Sequence, residues 1–92
     1  MAVTVKIPTS LRKFTAEKAE LNIDAPTVGD ALKQIDSAHP GLLAKLTDED
    51  GKIRRFINIY LGDEDIRFLD GLGTAVKSGD EISIIPAVAG GL

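Results

Sequence analysis

Cysteine and tryptophan are absent from this 92-residue sequence, and histidine occurs once, at His39. Without cysteine the protein has no disulfide, no thiolate nucleophile and no cysteine-ligated zinc or iron–sulfur site. The lone histidine stands before Pro40-Gly41, where a helix end is the expected role, because a histidine-based metal site needs further ligands. The four serines would have to share this one histidine, which disfavours a serine hydrolase.

Long apolar runs and a strong charge of one sign are also missing. No apolar segment approaches the roughly 20 residues that cross a bilayer, and the opening MAVTVKIP lacks the pattern of a secretory signal. We therefore expect a cytoplasmic protein without a membrane partner. The net charge is −3, and Lys52, Arg54 and Arg55 form the only tight basic cluster, which argues against nucleic acid as a partner.

Sites for metals and phosphates are not indicated either. The acidic clusters at 48–50 and 63–65 lack the spacing of a calcium-binding loop, so we interpret them as solvated turns. Gly71-Leu72-Gly73 has neither a third glycine nor a Lys-Ser pair at the distance that phosphate-binding loops require. We expect no metal site and no bound cofactor.

The patterns that are present predict a single domain of mixed α and β structure. Period-2 alternation of apolar residues indicates strands, and apolar residues at helical spacing after Thr27, a candidate N-cap with Asp30 three positions on, indicate one main helix. The predicted elements are strands at 2–8 and 20–24 that form a hairpin, a helix from Thr27 to about His39, a helical turn at 42–46, and strands at 52–61, 66–69 and 81–86.

The predicted strand at 52–61 carries apolar residues on both faces, which indicates a central strand. If one face packs on the helix, Phe56 and Tyr60 lie on the opposite face, and the last strand presents Ile85 on a comparable face. We predict that Phe56, Tyr60 and Ile85 form a partner-binding surface. The alternative is that they only cover the edge of the sheet.

The chain closes with PAVAGGL, a stretch without charge and without Asn or Asp. Pro86 has no N–H to donate to a strand, and the glycines lose much entropy on ordering. We predict a domain at 1–86 and a flexible tail at 87–92. The tail consists of Ala87, Val88, Ala89, Gly90, Gly91 and Leu92.

A hairpin, one helix across a small mixed sheet, and a last strand beside the first make up the α+β arrangement called the β-grasp or ubiquitin-like fold. Phe56-Ile57-Asn58-Ile59-Tyr60, the stretch 63–67, Gly71-Leu72-Gly73-Thr74 and above all 79–91 resemble the ThiS/MoaD family of sulfur carrier proteins. The resemblance covers essentially the whole chain. The sequence motifs NIY, DED-hydrophobic-RF and PAVAGG are most similar to those of the CysO-like group, which serves cysteine formation.

The resemblance implies a carrier rather than an enzyme. In the family, an E1-like adenylyltransferase and sulfurtransferase uses ATP and magnesium to adenylate the terminal glycine, which maps here to Gly91 after Gly90. Sulfide or a persulfide then displaces AMP, and the resulting thiocarboxylate passes its sulfur to a cysteine synthase-like or other accepting enzyme. The small residues Ala87, Val88 and Ala89 suit a narrow channel, and glycine permits close approach of the backbone.

Leu92 departs from the active form of that pattern, because it follows Gly91. The resemblance implies a precursor from which a JAMM-type metalloprotease removes Leu92; the alternative is that Leu92 is a cloning remnant. Two other functions stay open: a ubiquitin-like protein modifier, and the small subunit of a molybdopterin-synthase-type complex. The acceptor of the sulfur is also open between cysteine, thiamine, a transfer-RNA base and a pterin. We expect a monomer when the protein is free.

Overall fold

The computed structural model describes residues 2–86, and the predicted tail at 87–92 lies outside them. Each strand and helix except the two-residue β4 runs for four to eleven residues. The elements are β1 (Val3–Lys6), β2 (Glu20–Ile23), α1 (Val28–Ala38), α2 (Leu42–Leu46), β3 (Ile57–Leu61), β4 (Glu64–Asp65) and β5 (Glu81–Pro86), with 3-10 helical segments at Thr9–Thr15, Ile66–Phe68 and Gly71–Gly73.

The strands form one mixed sheet in the order β2-β1-β5-β3-β4. β1 and β2 make an antiparallel hairpin, while β5 runs parallel to β1 and antiparallel to β3. The predicted N-terminal hairpin and the return of the last strand beside the first are therefore confirmed, and with them the β-grasp fold. Among residues 2–86, no helix combines the length and the apolar character that crossing a bilayer requires.

The core lies between α1 and one face of the sheet. Alternate residues of each strand point to the same face, and residues three or four apart share a face of a helix, so both periodicities deliver apolar side chains to one layer. The side chains that meet there are all at most 3% exposed: Val3, Val5, Ile57, Ile59, Ile82 and Ile84 from the sheet, and Val28, Ala31, Leu32 and Ile35 from α1.

Both ends of α1 follow the local signals in the sequence. The Thr27 hydroxyl oxygen accepts the N–H of Asp30 at 3.1 Å and donates to the Asp30 carboxylate, also at 3.1 Å. This bond satisfies one of the free N–H groups of the first turn. At the other end the N–H of His39 donates to the carbonyl of Ile35 at 2.7 Å. The predicted helix-terminal role of His39 is confirmed.

The predicted strand at 52–61 is wrong in its first half, because β3 begins only at Ile57. Ile53 makes a single isolated bridge, to Thr47. The N–H of Ile57 then donates to the carbonyl of Arg54 at 2.9 Å, which closes a tight turn instead of extending a ladder. The alternation of residue types is the same in both halves, but the backbone hydrogen bonds of the first half have other partners.

The predicted strand at 66–69 is also wrong. The strand in this region is β4, which pairs only with Tyr60 and Leu61 of β3, and a 3-10 segment follows it. The Asp65 carboxylate accepts the N–H of Arg67 at 2.9 Å and so favours a turn over an extended chain. β3 is therefore flanked by β5 along one side and by β4 only at its end.

Candidate functional site

The outer face of the sheet, which α1 does not cover, is polar over β1 and β2. The ammonium of Lys6 lies 3.3 Å from the carboxylate of Glu81, and the Thr4 hydroxyl donates to the Asn22 side-chain oxygen at 3.2 Å. These polar groups pair with one another at the surface through an ion pair and a hydrogen bond, so this half of the face offers no apolar contact area.

Apolar side chains are exposed near the start of β3 and the end of β5. Phe56 is 54% exposed and Ile85 is 47% exposed, and Tyr60 is partly exposed. Asn58 lies directly opposite Ile85 in the antiparallel register, so the two side chains share a face. We refer to Phe56, Asn58, Tyr60 and Ile85 as the exit surface.

Tyr60 and Ile85 alternate with buried neighbours on β3 and β5 and so lie opposite the helix, as predicted; Phe56 precedes β3, and the structure shows that it is exposed. Ile84, next to Ile85, is 3% exposed and points into the core, as the alternation requires. The partner-binding role of these residues stays a prediction, because exposure alone is not evidence of a partner.

The position of the exit surface relative to the tail follows from the register. Ile57 pairs with Pro86, the last described residue, so Phe56 stands beside the point where the chain leaves the sheet. The predicted functional residues of the tail, Ala87, Val88, Ala89, Gly90, Gly91 and Leu92, lie outside the described residues. Gly91 is five positions beyond Pro86, and at about 3.5 Å per extended residue it cannot lie more than about 18 Å from it.

Arg67, which sequence reasoning did not select, organises the turn that carries Phe56. Its Nη2 donates to the carbonyls of Arg54 at 3.0 Å and Ile57 at 2.6 Å, and its Nη1 donates to the side-chain oxygen of Asn58 at 2.9 Å. The only feature of the sequence that pointed to a role for Arg67 was its position in the DED-hydrophobic-RF motif. Nothing in local periodicity connects it with a turn 13 residues earlier.

Sequence reasoning also did not select Phe68 and Leu69. They follow Arg67 and are 85% and 39% exposed, which makes Phe68 the most exposed large apolar side chain among residues 2–86. Single exposed apolar residues are ordinary on protein surfaces, and Phe68 gains functional interest only from its place in the same motif.

The described residues show no constellation for metal chemistry. Within 2–86, no group of three or more His, Asp or Glu side chains could hold a metal ion. In the acidic turn at 48–50, the Asp48 carboxylate accepts the N–H groups of Asp50 and Lys52 at 2.9 and 3.1 Å. That carboxylate therefore serves the turn itself.

The order of the strands and the single main helix packed across the sheet define a ubiquitin-like protein. A family model described as the ThiS family matches residues 5–91. The chain belongs to the ThiS family.

Individual relatives agree with that assignment over the full length. The chain is 43% identical over 93 aligned positions to the sulfur carrier protein CysO of Mycobacterium tuberculosis (strain ATCC 25618 / H37Rv), with 99% of this chain and 100% of the relative covered. A chain in the crystal structure of the Amycolatopsis orientalis BexX/CysO complex superimposes with a TM-score of 0.92 at 47% identity, with 98% and 100% of the two chains covered. These likenesses support a sulfur-carrier role, among small carriers rather than catalytic enzymes.

A further relative is named for a different role. The chain is 38% identical over 68 residues to small archaeal modifier protein 3 of Haloferax volcanii, with 74% of this chain and 73% of the relative covered. The chain is thus similar both to proteins named as carriers and to proteins named as modifiers.

Proposed function

We propose that this protein is a sulfur carrier whose Gly91 carboxylate is converted to a thiocarboxylate that supplies sulfur for cysteine formation. The observation that carries the proposal is the 43% identity to sulfur carrier protein CysO along 99% of the chain, which includes the diglycine in the matched family segment. The exit surface beside Pro86 supports it, since a carrier that reacts at its C-terminus must dock next to that terminus.

The chemistry requires activation because a carboxylate is a poor electrophile at neutral pH. A carboxylate oxygen of Gly91 attacks the α-phosphorus of ATP, an acyl-adenylate forms, and pyrophosphate leaves. The sulfur of hydrosulfide then attacks the acyl carbon, AMP leaves with the bonding electron pair, and the thiocarboxylate results. A persulfide that attacks in the same way gives an acyl disulfide, which a thiol cleaves to the thiocarboxylate and a disulfide. The carrier contributes no catalytic side chain to these steps.

An E1-like adenylyltransferase and sulfurtransferase is the proposed activating partner, and it supplies the ATP and magnesium site. It would contact the exit surface, where Phe56 and Ile85 are about half exposed. A few residues usually contribute most of the energy of a protein interface, and an aromatic or aliphatic anchor that a partner pocket buries is suited to that role. Because Gly91 lies at most about 18 Å from Pro86, one partner can hold the exit surface and the reacting carboxylate at once.

Any residue after Gly91 has to be removed first. Leu92 would place its own carboxylate one residue further along, about 3.3 Å beyond the reacting position, and its branched side chain opposes entry into a channel shaped for glycine. We assign the removal to a JAMM-type metalloprotease, the transfer of sulfur to a cysteine synthase-like enzyme, and the whole sequence of reactions to the cytoplasm, where ATP is available.

Mass spectrometry of the intact protein tests the proposal. A chain ending at Gly91 is incubated with the E1-like enzyme of the same organism, ATP, magnesium and sulfide, and we expect it to gain about 16 Da as oxygen is replaced by sulfur in the covalent intermediate. A chain ending at Leu92 should gain nothing, and Gly91→Ala in the trimmed chain should react more slowly, because its methyl group crowds the phosphate. No gain by the trimmed chain would count against the carrier function, and an equal gain by both chains against the need for trimming.

A protein modifier is the second candidate, and the similarity to small archaeal modifier protein 3 favours it. A modifier uses the same adenylate but ends in an isopeptide bond to a lysine of a target. Immunoblots of cell extract would then show the chain in covalent conjugates of higher mass, and a variant without Gly90 and Gly91 would show none.

A further inference from the structure

Phe56 lies in a turn that is held from two sides by arginine side chains. The turn spans Arg54 to Ile57 and is closed by the bond from the Ile57 N–H to the Arg54 carbonyl. On one side the Arg54 guanidinium donates to the carbonyl of Ala44 in α2, at 3.1 Å from Nη2 and 3.3 Å from Nε. The backbone N–H of Arg54 donates to the carbonyl of Leu46, also in α2. These bonds tie the start of the turn to α2.

Arg67 holds the other side. β4 pairs with β3 only at Tyr60 and Leu61, so it does not reach Ile57. Arg67 takes the place of the missing strand there, because its Nη2 donates to the Ile57 carbonyl at 2.6 Å and to the Arg54 carbonyl at 3.0 Å. The same guanidinium bonds the side chain of Asn58 through Nη1. It therefore connects both ends of the turn with a residue of the exit surface.

Only an arginine can make this set of bonds. A guanidinium presents five N–H donors in a rigid planar fork, whereas the ammonium of lysine is a compact group on a flexible stem. The Arg67 side chain is 39% exposed and lies 3.9 Å from the Asp65 carboxylate, so its charge is shared with a carboxylate and with solvent. Its bonds thus order the backbone at the edge of the domain and add nothing to the buried core.

We propose that Arg67 is a positioning residue for docking of the activating enzyme: it fixes the Arg54–Ile57 turn so that Phe56 and Asn58 are presented in their binding arrangement before the partner arrives. The inference rests on the proposed function, because it assigns the exit surface to that partner. A turn that is ordered in advance loses less conformational entropy on binding, and this raises affinity without a new contact.

The test combines NMR relaxation of the free protein with calorimetric titration of the E1-like enzyme of the same organism. The variants are Arg67→Lys, Phe56→Ala and the two combined. Gln34→Met is the matched control, because Gln34 also bonds a backbone carbonyl, that of Asp24 at 2.6 Å, but belongs to α1, away from the outer face. Circular dichroism and Tm establish that each variant is folded.

We expect Arg67→Lys to lower the amide order parameters of residues 55–57 but not those of residues 82–85, and to weaken binding about tenfold. Because Arg67 acts partly through the position of Phe56, the loss of binding in the double variant should be smaller than the sum of the two single losses; the part that remains beyond Phe56→Ala is assigned to Asn58. Gln34→Met should bind like the wild type.

Two results would overturn the inference: equal affinity of Arg67→Lys and wild type, or losses that simply add in the double variant, which would mean a direct contact between Arg67 and the partner. Failure of the proposed function has a different outcome. In that case the chain that ends at Gly91 gains no sulfur, whether or not it binds the enzyme. Only a chain that does not bind the enzyme at all would also exclude the docking role of Arg67.

Discussion

Replacement of Ile85 by alanine separates partner binding from folding, because the neighbouring Ile84 provides a control of identical chemistry. The two residues are adjacent on β5 and point to opposite faces of the sheet. Ile84 is 3% exposed and belongs to the core, whereas Ile85 is 47% exposed and belongs to the exit surface. A change at one position should therefore affect binding and a change at the other should affect stability.

The magnitudes follow from the exposed fractions. Alanine lacks three of the carbon atoms of isoleucine, whose complete burial contributes about 2.4 kcal/mol. With 47% of Ile85 exposed, about 1.1 kcal/mol of that total is still available to a partner. Its loss weakens binding about sixfold. The other half, about 1.3 kcal/mol, is the expected decrease in the free energy of unfolding. Ile84→Ala should cost about 2–5 kcal/mol of stability, since it also leaves a cavity.

Calorimetric titration with the E1-like enzyme measures the first effect, and urea unfolding followed by circular dichroism measures the second. Ile85→Ala should show weaker binding with a modest decrease in stability. At a temperature where Ile84→Ala is still folded, this variant should bind the enzyme nearly as tightly as the wild type does. If Ile85→Ala bound normally, or if it lost as much stability as Ile84→Ala, the assignment of Ile85 to a docking surface would be refuted.

Two further predictions concern the scaffold. Thr27→Ala removes the hydroxyl that accepts the Asp30 N–H at the start of α1, and the free energy of unfolding should fall by about 1 kcal/mol, measured by urea unfolding with Thr27→Ser as the conservative control. Lys6→Met removes an ion pair with Glu81 whose side chains are both about half exposed, so stability should change by no more than about 0.5 kcal/mol, and the difference from the wild type should shrink as salt is added; a loss above about 1 kcal/mol would contradict that estimate.

The sequence predicts the layer structure well because burial follows residue periodicity. Alternation at Val3 and Val5 identifies the inner face of β1, and the same rule places Ile84 inward and Ile85 outward. The start of α1 is predictable for a different reason. The Thr27 hydroxyl and the Asp30 N–H are three residues apart, so the cap is a local interaction that the sequence contains in full.

The errors at 52–61 and 66–69 have a common cause. In both segments the pattern of residue types is compatible with a strand, but turn bonds and side chains occupy the backbone groups that a strand partner would bond. The carbonyl of Arg54 accepts from Ile57 and from Arg67, and the N–H of Arg67 donates to the carboxylate of Asp65. A side chain that replaces a strand partner leaves no trace in hydrophobic periodicity.

By itself, then, the sequence determined the fold class, the faces of the strands and the likeness of its tail to that of sulfur carriers, since each depends on local spacing or on a continuous motif. Only the tertiary structure decided where β3 begins, that Ile57 pairs with Pro86, and how the turn that carries Phe56 is held. The physical reason is distance along the chain: Arg67 reaches carbonyls 10 and 13 residues away, and such bonds exist only once the sheet has brought those segments together.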